Sequence, residues 1–124
     1  MVVDTMGNLL SMVVHAANIH DTKSGIIPAI LAYLTYPTIL KFSADGGYCG
    51  TFVNQMMSLL SLDVEISKKI KAEGFNVIPK RWVVERTLAW FNFSRRLSKD
   101  YEITTTSSET MAKISHFHTL LNRL

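Results

Sequence analysis

The sequence predicts an α/β domain, on three observations. Short apolar runs bounded by turn residues alternate with longer stretches of helical periodicity. A hydrophobic content of 48% over 124 residues suffices for one modest core and argues against a disordered chain. One short apolar run ends in Asp45-Gly46-Gly47, the kind of strand end at which open α/β sheets carry functional groups. Residues 1–124 read as one domain, a mixed sheet with flanking helices, without repeat, low-complexity segment or inter-domain linker.

Met1 to Asp4 reads as the stump of a strand, Asp4-Thr5-Met6-Gly7-Asn8 as a turn, and Leu9 to His15 as the returning strand of a hairpin. The first arm has only about three residues, where strands usually have about 5–6, so a preceding piece of sheet is expected to be missing. Asp21 or Thr22 caps a helix running towards Tyr33, with Pro28 in its first turn or at a break. After Pro37, Thr38 to Ala44 is a short buried strand. Tyr48 to Leu60 is helical, and the alternation of apolar and acidic residues from Leu62 to Ile66 predicts another strand. Lys68 to Lys71 forms a basic loop, and Phe75 to Ile78 a further apolar run stopped by Pro79. A strongly apolar helix spans Arg81 to Leu97. The last helix begins at Thr106, where Thr106 and Glu109 match a capping box. Its residues Met111, Ile114, Phe117, Leu121 and Leu124 fall at helical spacing and are expected to face the core.

The net charge of +3 is unevenly spread. Eleven of the 13 basic residues follow Asp63, so the later part carries +5 and the earlier part −2. A basic half suits a polyanion such as DNA, the plainer alternative being a solvated basic face. The single cysteine, Cys49, excludes an internal disulfide framework and a cysteine-based zinc site, and fits a reducing cytoplasm. Asp4 and Asn8 interrupt the apolar start, which rules against a secretory signal. The longest weakly polar stretch, Ile26 to Leu40, is shorter than the roughly 20 residues of a spanning helix and contains Pro28 and Pro37. No membrane partner is expected, and the location is read as cytoplasmic, at the nucleoid when bound to DNA.

Two acids stand out. Asp45 closes a buried strand and is followed by two glycines that permit close approach of a ligand; the competing reading is an ordinary Asp-Gly turn. Glu85 lies in a mainly apolar helix, with Arg81 four residues before it and Asn92 and Arg96 seven and eleven after. At about 3.6 residues per turn all four project from nearly one face, as an active-site face or as an i,i+4 ion pair on a solvent face. Together, Asp45 and Glu85 would be two hard oxygen ligands for a divalent cation. A third acid is wanted, and Asp4 and Asp21 are the upstream candidates. The histidines, His15, His20, His116 and His118, lack the spacing of a zinc site and read as packing or surface residues.

At this point the residues resemble a known family. Val2-Val3-Asp4-Thr5-Met6-Gly7, His15-Ala16-Ala17-Asn18-Ile19-His20-Asp21 and Ala44-Asp45-Gly46-Gly47-Tyr48-Cys49-Gly50 are similar to segments of IS5-group insertion-sequence DDE transposases. So are Pro79-Lys80-Arg81-Trp82-Val83-Val84-Glu85-Arg86-Thr87 and Arg95-Arg96-Leu97-Ser98-Lys99-Asp100-Tyr101-Glu102, in the family's order. The resemblance implies a ribonuclease-H-like fold and Mg²⁺- or Mn²⁺-dependent DNA cleavage and strand transfer at insertion-sequence ends. It assigns Asp45 and Glu85 as the second and third catalytic acids and metal ligands. Gly47 and Tyr48 are the companions of Asp45, and Arg81 is the signature arginine ahead of Glu85. Asn92 stands where the signature has a lysine, and Ile78 where it has a tyrosine. Phe93-Ser94 replaces a basic residue followed by an aromatic one. The DNA-binding set is Lys80, Arg81, Arg86, Arg95, Arg96 and Lys99. Asp4 matches a turn aspartate, so the first catalytic strand and its acid are expected to be missing and the ribonuclease-H-like fold incomplete.

The expectation is therefore a truncated transposase, inactive alone. The alternative is a non-catalytic fragment that binds DNA or pairs with a full-length transposase. An intact small nuclease using Asp4 or Asp21 is a third reading. A missing sheet neighbour also predicts marginal stability or self-association.

Overall fold

The computed structural model describes residues 1–67, 80–99 and 101–124, with the backbone alone for Asp21, Thr22 and Arg81. The expected basic loop at Lys68 to Lys71 and apolar run at Phe75 to Ile78 lie outside the described residues.

The hairpin forms from β1 (Val2–Val3) and β2 (Leu9–Ser11), antiparallel, with Val2 opposite Ser11 and Val3 opposite Leu9. Its turn is built by Asp4, whose Oδ1 accepts the N–H groups of Met6 (2.8 Å) and Asn8 (2.9 Å), while Asn8 Nδ2 donates to Oδ2. Gly7 takes φ +83° there, a conformation that favours glycine. The second arm pairs only to Ser11, not to His15. Further along it, Val14 donates its N–H to a side chain, Glu109 Oε1 (2.8 Å), so that group is satisfied without a strand partner.

A short helix α1 (Asp21–Ser24) is followed after Gly25 by α2 (Ile26–Thr35). Pro28 is the third residue of α2, where its missing N–H has no intrahelical acceptor in any case. Pro28, Ala29 and Ala32 turn inward. Next come β3 (Lys41–Asp45), a 3-10 turn (Gly46–Tyr48), α3 (Thr51–Leu60) and β4 (Asp63–Ser67). β3 and β4 pair in parallel, from Lys41 opposite Asp63 to Asp45 opposite Ser67, with α3 as the crossover that a parallel pair requires. Ser61 ends α3 in the left-handed region, its N–H donating to the carbonyls of Met56 and Met57. Ala29, Ala32, Phe42, Phe52, Met56, Leu62 and Val64 form the core, with Val2 of β1 and Leu10 of β2 packed against it.

The fold class is thus the mixed α/β expected, but the sheet is not one sheet. Among the described residues the strands form two separate pairs, β1–β2 and β3–β4, both resting on one core.

Two helices close the chain. α4 (Arg81–Asn92) stops five residues before the expected Leu97, giving way to turns from Phe93. α5 (Thr105–Leu121) departs from expectation twice. Its cap is Thr104, which accepts the N–H of Ser107, not Thr106; Glu109 is taken up by Val14 instead of a capping box. Its buried face carries Ala112, Ser115 and His116, whereas Ile114, Phe117, Leu121 and Leu124 are exposed. The reason is polar: His116 Nε2 accepts the N–H of Leu9 (2.9 Å), Ser115 hydrogen-bonds Ser94, and Glu109 holds Val14. These bonds orient the small, polar face inward. No described helix is long and apolar enough to cross a membrane.

Candidate catalytic site

Asp45 is the last residue of β3, at the C-terminal end of the parallel pair, and is exposed. Its Oδ1 accepts the N–H of Gly47 (2.9 Å) and so caps the 3-10 turn. A Cβ on Gly47 would lie 3.1 Å from that oxygen, so glycine lets the carboxylate fold back without crowding. Tyr48 follows, its ring edge-on to Phe52 at 5.2 Å, which seats the turn on α3.

Glu85 is exposed in the middle of α4, and Asn92, also exposed, is its last residue. Besides its packing on α5, this helix meets the two strand pairs. At its start Lys80, with φ +69°, reaches β4 through Nζ to Glu65 Oε2 (2.6 Å). Lys41 of β3 meets the same oxygen at 2.9 Å. The hydrogen bond and charge of Lys41, then those of Lys80, hold the Glu65 carboxyl down to about 2. This ties the first turn of α4 to the β3–β4 pair that carries Asp45.

The second contact is at the hairpin. Thr87, fully buried, donates its hydroxyl to Gly7 O (2.8 Å), and Arg86 Nη2 donates to Met6 O (2.6 Å). The Arg86 guanidinium lies 4.5 Å from the ring centre of Trp82 and 5.0 Å from that of Trp90. Arg86, expected among the DNA contacts, is therefore engaged inside the molecule. Sequence reasoning missed Glu65 and Thr87. Glu65 was visible only as the acidic step of an alternating strand, and Thr87 as a lone hydroxyl on an apolar helix face.

Of the other expected cations, Arg95 and Lys99 are exposed and Arg96 pairs with Glu102. Arg95, Arg96 and Tyr101 line a shallow depression of about 360 Å³. Lys80 is paired as described, and the side chain of Arg81 lies outside the described set. The acid Asp4 is occupied by its own turn. Burial raises its pKa, but hydrogen bonds from Asn8, Met6 and Gly7 outweigh burial and hold the carboxyl below its ordinary value. His15 Nε2 pairs with Ser24 Oγ (2.6 Å) and His116 is buried against Phe91, so both are packing residues.

Asp45 thus ends a strand of the β3–β4 pair, whereas Glu85 lies on a helix that packs on the hairpin and meets that pair through the Lys80–Glu65 ion pair at its start. A family model described as the transposase DDE domain matches residues 1–115. The chain belongs to that family, which implies the ribonuclease-H-like fold and action on DNA. No curated protein and no solved structure matches it.

The family generally uses divalent metal ions. Among the described residues no group of three or more His, Cys, Asp or Glu side chains converges. With Asp4 bound into its turn, those residues do not by themselves fit such an ion pair, which needs more oxygen ligands than two carboxylates supply.

Proposed function

We propose that this chain belongs to the IS5 group and supplies the second and third acids of a DDE transposase site, Asp45 and Glu85, for DNA cleavage and strand transfer at insertion-sequence ends. The first acid comes from outside these 124 residues, and without it the chain does not cut DNA. The observation that supports this reading is the seating of Asp45, a carboxylate at the end of a strand in a parallel pair that the start of the Glu85 helix meets through Lys80 and Glu65; among the described residues no group of three ligating side chains forms. Completed by a third carboxylate, the site would hold Mg²⁺ or Mn²⁺ through oxygen ligands.

A second reading, a non-catalytic DNA-binding fragment, is favoured by exposed Arg95 and Lys99 beside Arg96 and Tyr101. These cations would neutralise backbone phosphates, with an aromatic ring available to an unpaired base. Nucleoid association follows from either reading.

One experiment tests both. Insertion-sequence-end DNA is incubated with the chain and Mg²⁺ or Mn²⁺, with Asp45→Ala and Glu85→Ala alongside. No cleavage, with DNA retention that falls with salt and on R95A/K99A substitution, is expected. Cleavage abolished by either acid substitution would overturn the claim of an incomplete site.

A further inference from the structure

α5 is fastened differently at its two ends. At its start Thr104 caps Ser107, Glu102 accepts the Ser107 hydroxyl and pairs with Arg96, and Glu109 takes the N–H of Val14. Further along, the buried residues are only Ala112, Ser115 and His116, and the bond to the hairpin is made by His116, whose Nε2 accepts the N–H of Leu9 at 2.9 Å. That residue is 5% exposed, and its Nδ1 has no hydrogen-bond partner among the described residues. With Nε2 accepting, the single proton of the neutral ring sits on Nδ1. A second proton would have to go to Nε2 and turn it into a donor facing the Leu9 N–H. The bond would be lost, and the buried ring would carry a charge with no acceptor at either nitrogen.

We propose that His116 is a proton-operated latch: when its ring takes up a second proton, the part of α5 from Ala112 to Leu121 parts from β2 about its fastened first turns, leaving the Leu9 N–H at an open strand edge and the rest of the fold in place. The opening is local because that part of the helix buries little apolar surface. The surroundings set its direction. Burial first, then the charge of Arg123 beyond the end of α5, disfavours the second proton, and Asp4 in the hairpin turn favours it. β2 carries no charged residue, and Lys113, one turn back on α5, is exposed. α4 turns the ring of Phe91 to His116, centres 6.3 Å apart, and keeps Arg86 on the Met6 carbonyl. The latch is therefore closed above the ordinary value of 6.5 and loosens as pH falls below it.

The inference is independent of the catalytic reading, since neither Asp45 nor Glu85 takes part. Amide hydrogen exchange followed by NMR, across pH and at low urea, tests it on wild type, His116→Gln and Arg123→Gln. The amides of Leu9 and of residues 112–121 should be less protected than those of α3 and depend less on urea, because their opening exposes little surface. Between about pH 7.5 and about pH 5.5 their protection should fall about fivefold or more, as the open form takes the proton first. H116Q keeps an acceptor for Leu9 but does not titrate, so with an unchanged far-UV spectrum it should lose this response. R123Q removes a charge that opposes the proton, so the midpoint of the response should move to higher pH. Exchange of Leu9 and residues 112–121 only together with α3 and with the same urea dependence, a pH response kept in H116Q, or a midpoint that does not rise in R123Q would overturn the proposal.

Discussion

Thr87 on α4 donates its hydroxyl to the carbonyl of Gly7 in the hairpin turn, a 2.8 Å bond spanning 80 positions of sequence in a fully buried setting. The two residues fit because one lacks a side chain. A Cβ at Gly7 would come within 3.0 Å of Thr87 Oγ1, 3.1 Å of Arg86 Nη2 and 3.2 Å of Trp90. The helix bearing Glu85 therefore rests directly on hairpin backbone.

Substitution on either side of this contact should loosen α4. Gly7→Ala meets both the crowding and an unfavourable φ of +83°, and should lower stability by about 1–3 kcal/mol. Thr87→Val keeps the shape but leaves the Gly7 carbonyl without its donor, a cost of about 1–3 kcal/mol if that oxygen finds no other partner. Urea denaturation midpoints measure both. Unchanged midpoints would mean the clamp contributes nothing to holding the helix.

The start of α5 offers a contrast between two threonines. Thr104→Ala removes the cap on Ser107 and should cost about 0.5–2 kcal/mol. Thr106→Ala, one position inside the helix and exposed, should change stability by no more than about 0.5 kcal/mol. Thermal melts of the two variants side by side decide which residue begins the helix.

Glu65 gives the protein an acid-sensitive joint. Its carboxyl is held at about 2 in the fold against an ordinary value of 4.5, by Lys41 and then Lys80. The folded state binds the proton less tightly, so the contribution is present above about pH 4.5 and is lost as pH falls towards 2. Because all three side chains are solvent-accessible, salt should weaken it. Acid titration followed by circular dichroism should show wild type losing stability through this window more steeply than Glu65→Gln, and equal slopes would refute the assignment.

His116 acts at higher pH. Burial first, then the charge of Arg123, lowers its pKa, with Asp4 opposing them. Its Nε2 accepts from Leu9, which requires the neutral ring. A lowered folded value means the fold disfavours the protonated form. Stability is therefore full above about pH 6.5 and declines as pH drops below it through the folded value. Melting temperatures of wild type should fall between pH 7.5 and 5.5, while His116→Gln should be flatter there. That window lies clear of the one governed by Glu65.

Much of the local structure was legible. The Asp4 turn, the helices at α2 and α3, the strand at β4 and the strand-ending Asp45 all declare themselves through turn residues, period and apolar runs. The pairing of α4 with its neighbours did not. Arg86 reads in sequence as a surface cation beside Glu85, and only the approach of the hairpin turn shows where its guanidinium goes. Glu65 likewise has no meaning as a joint until β3, β4 and the start of α4 meet.

The last helix marks the boundary most clearly. Sequence alone determined that α5 is a helix, because the spacing of its apolar residues and a nearby threonine cap are properties of the local chain. Which face it buries was decided by tertiary structure. The apolar row is the stronger hydrophobic signal, yet the opposite face carries the groups that satisfy Leu9 and Val14, and small residues that allow close packing. Burying a backbone N–H without a partner is costly, and no periodicity in a sequence records which distant N–H will need one.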